Sequence, residues 1–152
     1  MKFENANVLI TGGASGIGRI IGQMALQKGA KNFIIWDINK EGIENTCKEL
    51  SQYGKVTGYI VDVSNNETVN KKYQETIRDC GPIDILVNCA GIITSNKTFD
   101  QQSCDEMIRT ININTLAPMF VARAVLPDML KRNHGHICNI TSAGGMLSNP
   151  KM

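Results

Sequence analysis

The sequence has no long apolar run and no excess of charge of one sign. Its apolar stretches, such as residues 33–36, fall far short of the roughly 20 residues of a membrane-spanning helix. The N-terminus carries neither an apolar signal region nor an anchor. The net charge is only +2 and is evenly spread, which gives no indication of a nucleic-acid interface. We therefore expect no membrane anchor in this chain and no nucleic-acid partner.

Metal-ligating residues are few and scattered. The two histidines, His134 and His136, have no ligand-like neighbours, and no Cys-x-x-Cys pair occurs. An odd number of dispersed cysteines predicts neither a disulfide framework nor a metal site. Free thiols fit a reducing compartment, so a cytoplasmic location and structural cysteines are expected. The five cysteines are Cys47, Cys80, Cys89, Cys104 and Cys138.

Short apolar runs alternate with amphipathic stretches along the whole chain. With 42% hydrophobic residues over 152 positions, the chain can bury the core of one domain, expected to span residues 1–152. The alternation predicts an α/β fold, a doubly wound parallel sheet in the order 3-2-1-4-5, truncated after the fifth strand. The strands are expected at residues 8–10, 33–36, 56–61, 83–87 and 136–141.

Local signals predict how the helices begin and bend. Ser64 and Glu67 have the spacing of a capping box, in which each side chain accepts a hydrogen bond from the other residue's backbone N–H. A long helical region is expected from about residue 105 to 131, and Pro118 and Pro127 should kink or interrupt it. The apolar face of the first helix is expected to carry Ile17, Ile20, Ile21, Met24 and Ala25.

A glycine cluster follows the first predicted strand and opens the first helix. Thr-Gly-Gly-Ala-Ser-Gly-Ile-Gly occupies positions 11–18, where helix N-terminal amides would point at a phosphate. The spacing differs from the general Gly-x-Gly-x-x-Gly fingerprint, and glycines also make plain turns. We expect the first glycine to allow a tight turn, the third to admit a pyrophosphate, and the fourth to let helix and strand pack together. The predicted binding residues here are Gly12, Ser15, Gly16, Ile17 and Gly18.

Two acids follow the next strands at the same edge of the predicted sheet. Asp37 lies about 20 residues beyond the last glycine, where an acid accepts hydrogen bonds from the adenosine ribose. A carboxylate there repels a 2′-phosphate, and neither Ala14 nor Ser15 supplies a basic side chain, so NAD is predicted rather than NADP. The alternative is that Asp37 is an ordinary strand-end acid. Asp62 either accepts from the adenine amino group, with Val63 lining the pocket, or starts the following turn.

Taken in order, these motifs resemble those of the short-chain dehydrogenase/reductase family. The resemblance covers the whole chain, and segments 36–40 and 135–137 look most like the branch with retinol and hydroxysteroid dehydrogenases. It implies an NAD-dependent oxidoreductase that interconverts an alcohol and its carbonyl, acts on a small-molecule substrate, and forms a homo-oligomer when intact. The matching segments are residues 11–18, 62–63, 88–91, 114 and 139–142.

The resemblance also implies roles for residues outside the glycine turn. Asn88, Ala90 and Gly91 would steady the central sheet and abut the cofactor ribose, with Cys89 in place of a second asparagine. Asn114 would hold a water of the proton relay through its backbone. Two alternatives stay open for this position: Asn112 as the relay residue, or a buried asparagine that only satisfies backbone at a helix kink.

Ser142 resembles the serine that hydrogen-bonds the oxygen of the substrate, an orienting role rather than nucleophilic attack. A serine after a strand is also a common loop starter. Thr141 is the neighbouring candidate, but alternation along the predicted strand would place the two side chains on opposite faces. Ser142 is therefore the predicted catalytic serine.

The family pattern includes a Tyr-x-x-x-Lys pair beyond the serine, and the 152 residues do not contain it. Tyr53, Tyr59 and Tyr73 all lie in the first half of the chain and are not expected to replace it. Two readings stay open: the N-terminal portion of an enzyme, or a truncated, catalytically inactive dinucleotide-binding remnant. An unpaired fifth strand and an apolar helix face beside it further predict that the isolated chain associates.

Overall fold

A computed structural model describes residues 2–93 and 98–145 of the chain. Within these ranges, parallel strands form one sheet in the order β3-β2-β1-β4-β5, which confirms the predicted doubly wound arrangement. The central strand β1 pairs with β2 on one side and β4 on the other, so the order reverses between β1 and β4. The strands are β1 (Asn7–Thr11), β2 (Asn32–Asp37), β3 (Lys55–Ile60), β4 (Ile85–Asn88) and β5 (His136–Asn139).

Helices cover both faces of the sheet, because the strands are apolar on both sides. Val8 and Ile10 of β1 pack with α1 and α2 in one core, while Leu9 packs with α3 and α5 in the other. Successive side chains of β1 thus enter the cores on opposite faces of the sheet, and a strand buried on both faces is typical of parallel sheets. None of the helices in the described ranges has the length and apolarity to cross a membrane. The helices are α1 (Gly16–Gln27), α2 (Lys40–Leu50), α3 (Asn66–Cys80), α4 (Cys104–Ile111) and α5 (Ala117–Arg132).

The buried face of α1 agrees with the prediction at Ala25 and in part at Ile21, and differs at the other three positions. Ile17, Ile20 and Met24 are 60%, 59% and 49% exposed. A Cβ placed on Gly22 would lie 2.3 Å from the ring of Phe33, so the helix approaches the sheet closely through small residues. A prediction from hydrophobicity alone is therefore wrong at these positions, because the close contact between helix and sheet requires small residues. The buried residues of α1 are Gly18, Gly22, Ala25 and Leu26.

The predicted capping box at Ser64 and Glu67 is wrong. The N-cap of α3 is Asn65, whose Oδ1 accepts from the backbone N–H of Thr68 at 2.9 Å. The Ser64 hydroxyl instead donates to Asp62 at 2.7 Å. Asparagine is at least as strong an N-cap as serine, and here it stands one residue nearer the helix.

The long helical region does break near its first proline, as predicted. A π-helical segment, Asn112–Leu116, separates α4 from α5, and Pro118 lies in the first turn of α5. α5 continues directly from this segment, since the Ala117 N–H bonds to the Asn112 carbonyl, and Pro118 lacks the next N–H of the series. Pro127 lies inside α5, which continues through it. The α4 helix begins with a capping box between Ser103 and Glu106 that the sequence reading did not identify.

Candidate functional site

The glycine turn lies at the carboxyl edge of the sheet, between β1 and α1. Gly12 and Gly16 have φ values of +67° and +50°, a region that favours glycine. A Cβ on Gly12 would lie 2.9 Å from the Cα of Ala90, and one on Gly18 would lie 2.4 Å from the carbonyl oxygen of Gly12. A Cβ on Gly16 would meet nothing within 4 Å. Gly12 and Gly18 therefore permit backbone contacts, whereas Gly16 opens onto a cleft.

The N-terminus of α1 has backbone donors that its own N-cap residue does not cap. Its N-cap residue, Ser15, makes no side-chain capping hydrogen bond, and the first turn contains no acidic residue. The first N–H groups of a helix carry a partial positive charge and attract anions. This helix end can therefore bind an anionic group at the open side of Gly16.

Thr11 fixes the turn against the end of β4. Its buried hydroxyl oxygen accepts from the backbone N–H groups of Cys89 and Ala90, both at 3.1 Å. Thr11 belongs to the glycine motif, but the motif itself predicts no role for its side chain. Its two donors lie 78 and 79 residues away in sequence, so only the fold brings them together.

Asp37 ends β2 and faces the glycine turn across the sheet edge. One carboxylate oxygen accepts from the backbone N–H of Ala14 at 3.1 Å, and the other accepts from Asn39 at 3.0 Å. Each carboxylate oxygen can accept further hydrogen bonds. Asp37 is therefore more than a surface acid at a strand end, because it ties the glycine turn to the start of α2.

Asp62 follows β3 and is exposed at the same edge. Its Oδ1 accepts from both the backbone N–H and the hydroxyl of Ser64, at 3.0 and 2.7 Å. This is the turn-starting arrangement that the sequence left open as one alternative. Its other carboxylate oxygen has no hydrogen-bond partner in residues 2–93 and 98–145, and both Asp62 and Val63 line the cleft in front of Gly16.

Asn88 ends β4 and connects two strands through its side chain. It is 3% exposed, and its Nδ2 donates to Oδ1 of Asn139, its register partner on β5, at 2.8 Å. Its own Oδ1 is buried without a hydrogen-bond partner among the described residues. The pair fixes the point where β5 leaves the sheet.

Asn114 lies in the π-helical segment and binds the loop that follows β4. Its Oδ1 accepts from the N–H of Ile92 at 2.9 Å, and its Nδ2 donates to the carbonyl of the same residue at 2.8 Å. The alternative of a buried asparagine that satisfies backbone is wrong in the burial, because Asn114 is exposed, but its side chain does satisfy backbone groups. Asn112, the competing candidate, lines a separate small cleft with Asp62 and Ser64. Asn114 thus holds the segment beginning at Gly91 in place.

Ser142 lies beyond the end of β5, which stops at Asn139 rather than at Thr141. Its Oγ accepts from the N–H of Gly144 at 3.1 Å. Thr141 and Ser142 line the same cleft, so the prediction that strand alternation separates them is wrong. Both residues follow the strand, where the two-residue alternation no longer applies.

Two adjoining clefts gather the predicted site residues. The first, of about 530 Å³, is lined by every predicted cofactor-binding residue except Asn88. The second, of about 810 Å³, is lined by Asn88, Asn114 and Ser142. The clefts share the segment 89–92 and Ile140, so an elongated ligand could extend from one into the other.

The cysteine at the junction of the clefts, Cys89, has a raised pKa. Burial raises the pKa of the Cys89 thiol, and the nearby Cys138 raises it further. A hydrogen bond with the Gly18 backbone lowers the pKa by a smaller amount. A raised pKa keeps the thiol protonated at neutral pH. Within the described residues, no group of three or more His, Cys, Asp or Glu side chains is placed to hold a metal ion.

The three tyrosines line neither cleft. Tyr59 bonds to Asp79 and lies near the Cys80 sulfur, and burial together with these neighbours raises its pKa well above the ordinary value. Tyr73 is 5% exposed in the core, and burial raises its pKa as well. A tyrosine that passes a proton near neutral pH needs a lowered pKa, so neither residue suits that task.

Comparisons with known proteins agree with this geometry. The family profile described as short chain dehydrogenase matches residues 6–152. Estradiol 17-beta-dehydrogenase 11 of Homo sapiens is 38% identical over 144 residues, which are 94% of this chain and 47% of that protein. Epidermal retinol dehydrogenase 2 of Homo sapiens is 37% identical over 142 residues, 91% of this chain and 45% of that protein. These names belong to the branch that the sequence indicated.

The chain spans about half the length of the curated relatives it matches. Among solved structures, an NAD+-bound xylitol dehydrogenase superposes with a TM-score of 0.94 at 27% identity. The match covers 100% of this chain and 58% of that one. The similarity therefore extends over the whole sheet and both clefts.

Proposed function

The chain belongs to the short-chain dehydrogenase family, and on this premise we propose that it binds NAD as the cofactor-binding part of an oxidoreductase. The enzyme would interconvert a small-molecule alcohol and its carbonyl. When bound, the nicotinamide ring supplies the hydride acceptor or donor for that reaction. The 17-beta-dehydrogenase and retinol dehydrogenase relatives support an alcohol/carbonyl substrate.

The observation that carries the proposal is the open side of Gly16 beside the uncapped N-terminus of α1. Positive φ and free space in front of Gly16 let a ligand approach the backbone where a side chain would intrude. The unpaired helix donors then attract negative charge. A pyrophosphate has the charge and size for this place, so the residues present fit the dinucleotide.

Asp37 supports NAD rather than NADP. Its carboxylate lies at the rim of the same cleft and retains capacity to accept hydrogen bonds from ribose hydroxyls. A 2′-phosphate would meet the negative charges of Asp37 and Asp62. We infer that Val63 lines the adenine pocket, with Ala90 and Gly91 against the ribose on the nicotinamide side.

The second cleft would hold the substrate and the nicotinamide end. Because the Ser142 oxygen accepts from Gly144, its O–H is left to donate to the oxygen of an alcohol or carbonyl. Both polar atoms of the Asn114 side chain are occupied by Ile92, so a relay through this residue would use its main-chain carbonyl. That carbonyl lies in a π-helical turn, a distortion that is frequent at functional sites.

A second candidate function is dinucleotide binding without hydride transfer. The placement of the three tyrosines away from both clefts favours it, because no side chain near Ser142 in the described residues can pass the proton. A turnover assay with NAD and secondary alcohols tests this second candidate. We expect the 152-residue chain to bind NAD and to show no turnover, and measurable hydride transfer would exclude this candidate.

We propose a cytoplasmic location on the evidence of the cysteines. All five cysteines are free of disulfide bonds, and three of them are partly buried. Dispersed free thiols persist in a reducing compartment.

Calorimetric titration with NAD tests the proposed binding. Gly16→Ala places a Cβ on the open side of the turn and should weaken NAD binding about tenfold or more. Gly29→Ala is the matched control, because Gly29 also has positive φ (+83°) but lies at the other end of α1. Each variant should lose about 1 kcal/mol of stability from backbone strain, and only Gly16→Ala should lose affinity.

Absence of binding by the folded wild-type chain at millimolar NAD would refute the proposed function. Equal loss of affinity in the two glycine variants would attribute the effect to strain rather than to blockage of the cleft. Thermal melts of all three proteins establish that each is folded during the titration.

A further inference from the structure

One positively charged side chain lines the first cleft in the described residues, and the motifs identified in the sequence do not include it. Arg109 lies in the last turn of α4 and is exposed. It lies with Asp62, Ile38 and Ile113 at the end of the cleft where this adjoins a smaller cleft of about 270 Å³. Glycine-turn residues line the first cleft but not the smaller one, so Arg109 marks the end remote from the phosphate-binding turn.

The Arg109 guanidinium has no hydrogen-bond or ion-pair partner among residues 2–93 and 98–145. Two carboxylates are nearby in the fold: Asp105 stands four residues earlier on α4, and Asp62 lines the same small cleft. An arginine at this spacing often pairs with the acid one turn before it. Here its five N–H donors and its flat face remain available to a ligand.

The helix that carries Arg109 is held at its start. Ser103 Oγ accepts from the N–H of Glu106 at 3.2 Å, and Glu106 Oε2 accepts from the N–H of Ser103 at 2.8 Å. A capping box of this kind stabilises the first turn. Arg109 therefore projects from a defined helix rather than from a loop.

The sequence of groups along the cleft indicates what Arg109 meets. Gly16 lies at the phosphate end, and Asp37 follows at the place proposed for the adenosine ribose. In the proposed binding mode the base would follow the ribose, towards Val63 and the α4 residue Arg109, which line the same cleft. The walls there are apolar apart from Asp62 and Arg109, which suits a flat aromatic ring.

We propose that Arg109 stacks its guanidinium on the adenine ring of the bound dinucleotide. This inference rests on the proposed NAD binding. A guanidinium plane stacks on aromatic faces and gains from cation–π attraction, more than a lysine ammonium does at the same place. A phosphate is the less favoured partner because Asp62 lies at the same end of the cleft and Asp37 also lines the cleft.

The test is calorimetric titration of the 152-residue chain with NAD, AMP and NADP. Arg109→Ala should weaken NAD and AMP about five- to tenfold and by similar factors, because both ligands carry the adenine. Arg109→Lys should restore only part of that affinity, since the charge returns without the flat face. Arg123→Ala is the matched control. It removes the same charge from an exposed position of α5 that lines neither cleft, and it should leave all affinities unchanged.

Three results would overturn the stacking assignment. Unchanged NAD affinity in Arg109→Ala would show that the residue makes no contact, and full restoration by Arg109→Lys would show that charge alone acts. A loss confined to NADP would assign Arg109 to a 2′-phosphate. Failure of the wild-type chain to bind NAD and AMP at all would refute both the proposed function and this inference. This result is distinguishable from the other three because it is measured on the wild-type chain alone.

Discussion

At the scale of single residues, Asp37 combines a structural and a proposed binding role. Its two carboxylate oxygens accept from Ala14 and Asn39, so it joins the glycine turn to the start of α2. The same carboxylate lines the cleft proposed for the dinucleotide. A substitution that removes the whole side chain would disturb both roles, and one that keeps a carbonyl oxygen disturbs the structural role less.

Asp37→Asn removes the negative charge, and it keeps an acceptor for only one of the two backbone N–H groups that Asp37 binds. We expect NAD to bind about tenfold more weakly, because hydrogen bonds to a charged group contribute roughly 1.5–3 kcal/mol. NADP should bind more tightly than it does to the wild type, since repulsion of the 2′-phosphate is reduced. The measurement is the ratio of NAD to NADP dissociation constants by calorimetry.

Asp62→Asn is the control for that substitution. Asp62 is an acid of the same cleft, but it is proposed to face the adenine, so its loss of charge should change the NAD/NADP ratio less. If the ratio is the same in wild type and Asp37→Asn, the proposed selection by Asp37 is wrong. If Asp62→Asn moves the ratio as much as Asp37→Asn does, the selectivity comes from the general negative field.

Some site residues could be predicted from sequence because their type and spacing carry the information. Gly12 and Gly16 lie in a turn between strand and helix, and only a narrow set of residues tolerates their backbone angles. Thr11 and Arg109 could not be assigned in the same way. The N–H groups that Thr11 accepts from follow β4, and only the fold brings Arg109 to the cleft, so the linear sequence displays neither role.

At the scale of elements, strands were predicted better than helix surfaces. A strand buried on both faces reads as a continuous apolar run, and short right-handed connections then determine the sheet order. The buried face of α1 was predicted from hydrophobicity, but Gly18 and Gly22 pack on the sheet while Ile20 is exposed. The helix can approach the sheet this closely only through small residues. A pattern based on hydrophobicity does not predict which small residues lie at the contact.

The start of α3 gives a direct test of which residue caps it. Asn65→Ala removes the acceptor for the Thr68 N–H and should lower the free energy of unfolding by about 1 kcal/mol. Ser64→Ala removes only a hydroxyl that donates to Asp62, and should change stability by no more than about 0.5 kcal/mol. Urea unfolding followed by circular dichroism measures both.

The two cap variants also discriminate between the sequence and structure assignments of this helix end. A larger loss for Ser64→Ala than for Asn65→Ala would restore the capping box predicted from Ser64 and Glu67. Ser103→Ala, at the start of α4, is a positive control because its capping box is formed by hydrogen bonds in both directions.

At the scale of the whole molecule, α5 has a buried and an exposed apolar stripe. Val121, Val125 and Met129 are buried against the sheet and α3. Met119, Leu126 and Leu130 are 59%, 42% and 69% exposed, and their spacing places them on one side of the helix. An amphipathic surface helix ordinarily carries polar residues there, so this second stripe is a surface that another molecule can cover.

We expect the isolated chain to self-associate through this second stripe of α5. Within the described residues β5 pairs only with β4, so the sheet also has an open edge on the side of α5. Leu130→Glu places a charge at the most exposed position of the stripe, and burial of an unpaired charge in an interface is strongly unfavourable. This variant should therefore dissociate to monomers at concentrations where the wild type is associated, while its melting temperature at high dilution stays unchanged.

Tyr53→Glu, beyond the end of α2 and 40% exposed, is the matched control and should associate like the wild type. Sedimentation velocity over a wide concentration range measures all three proteins, and a wild-type chain that stays monomeric throughout would show that the stripe does not drive association.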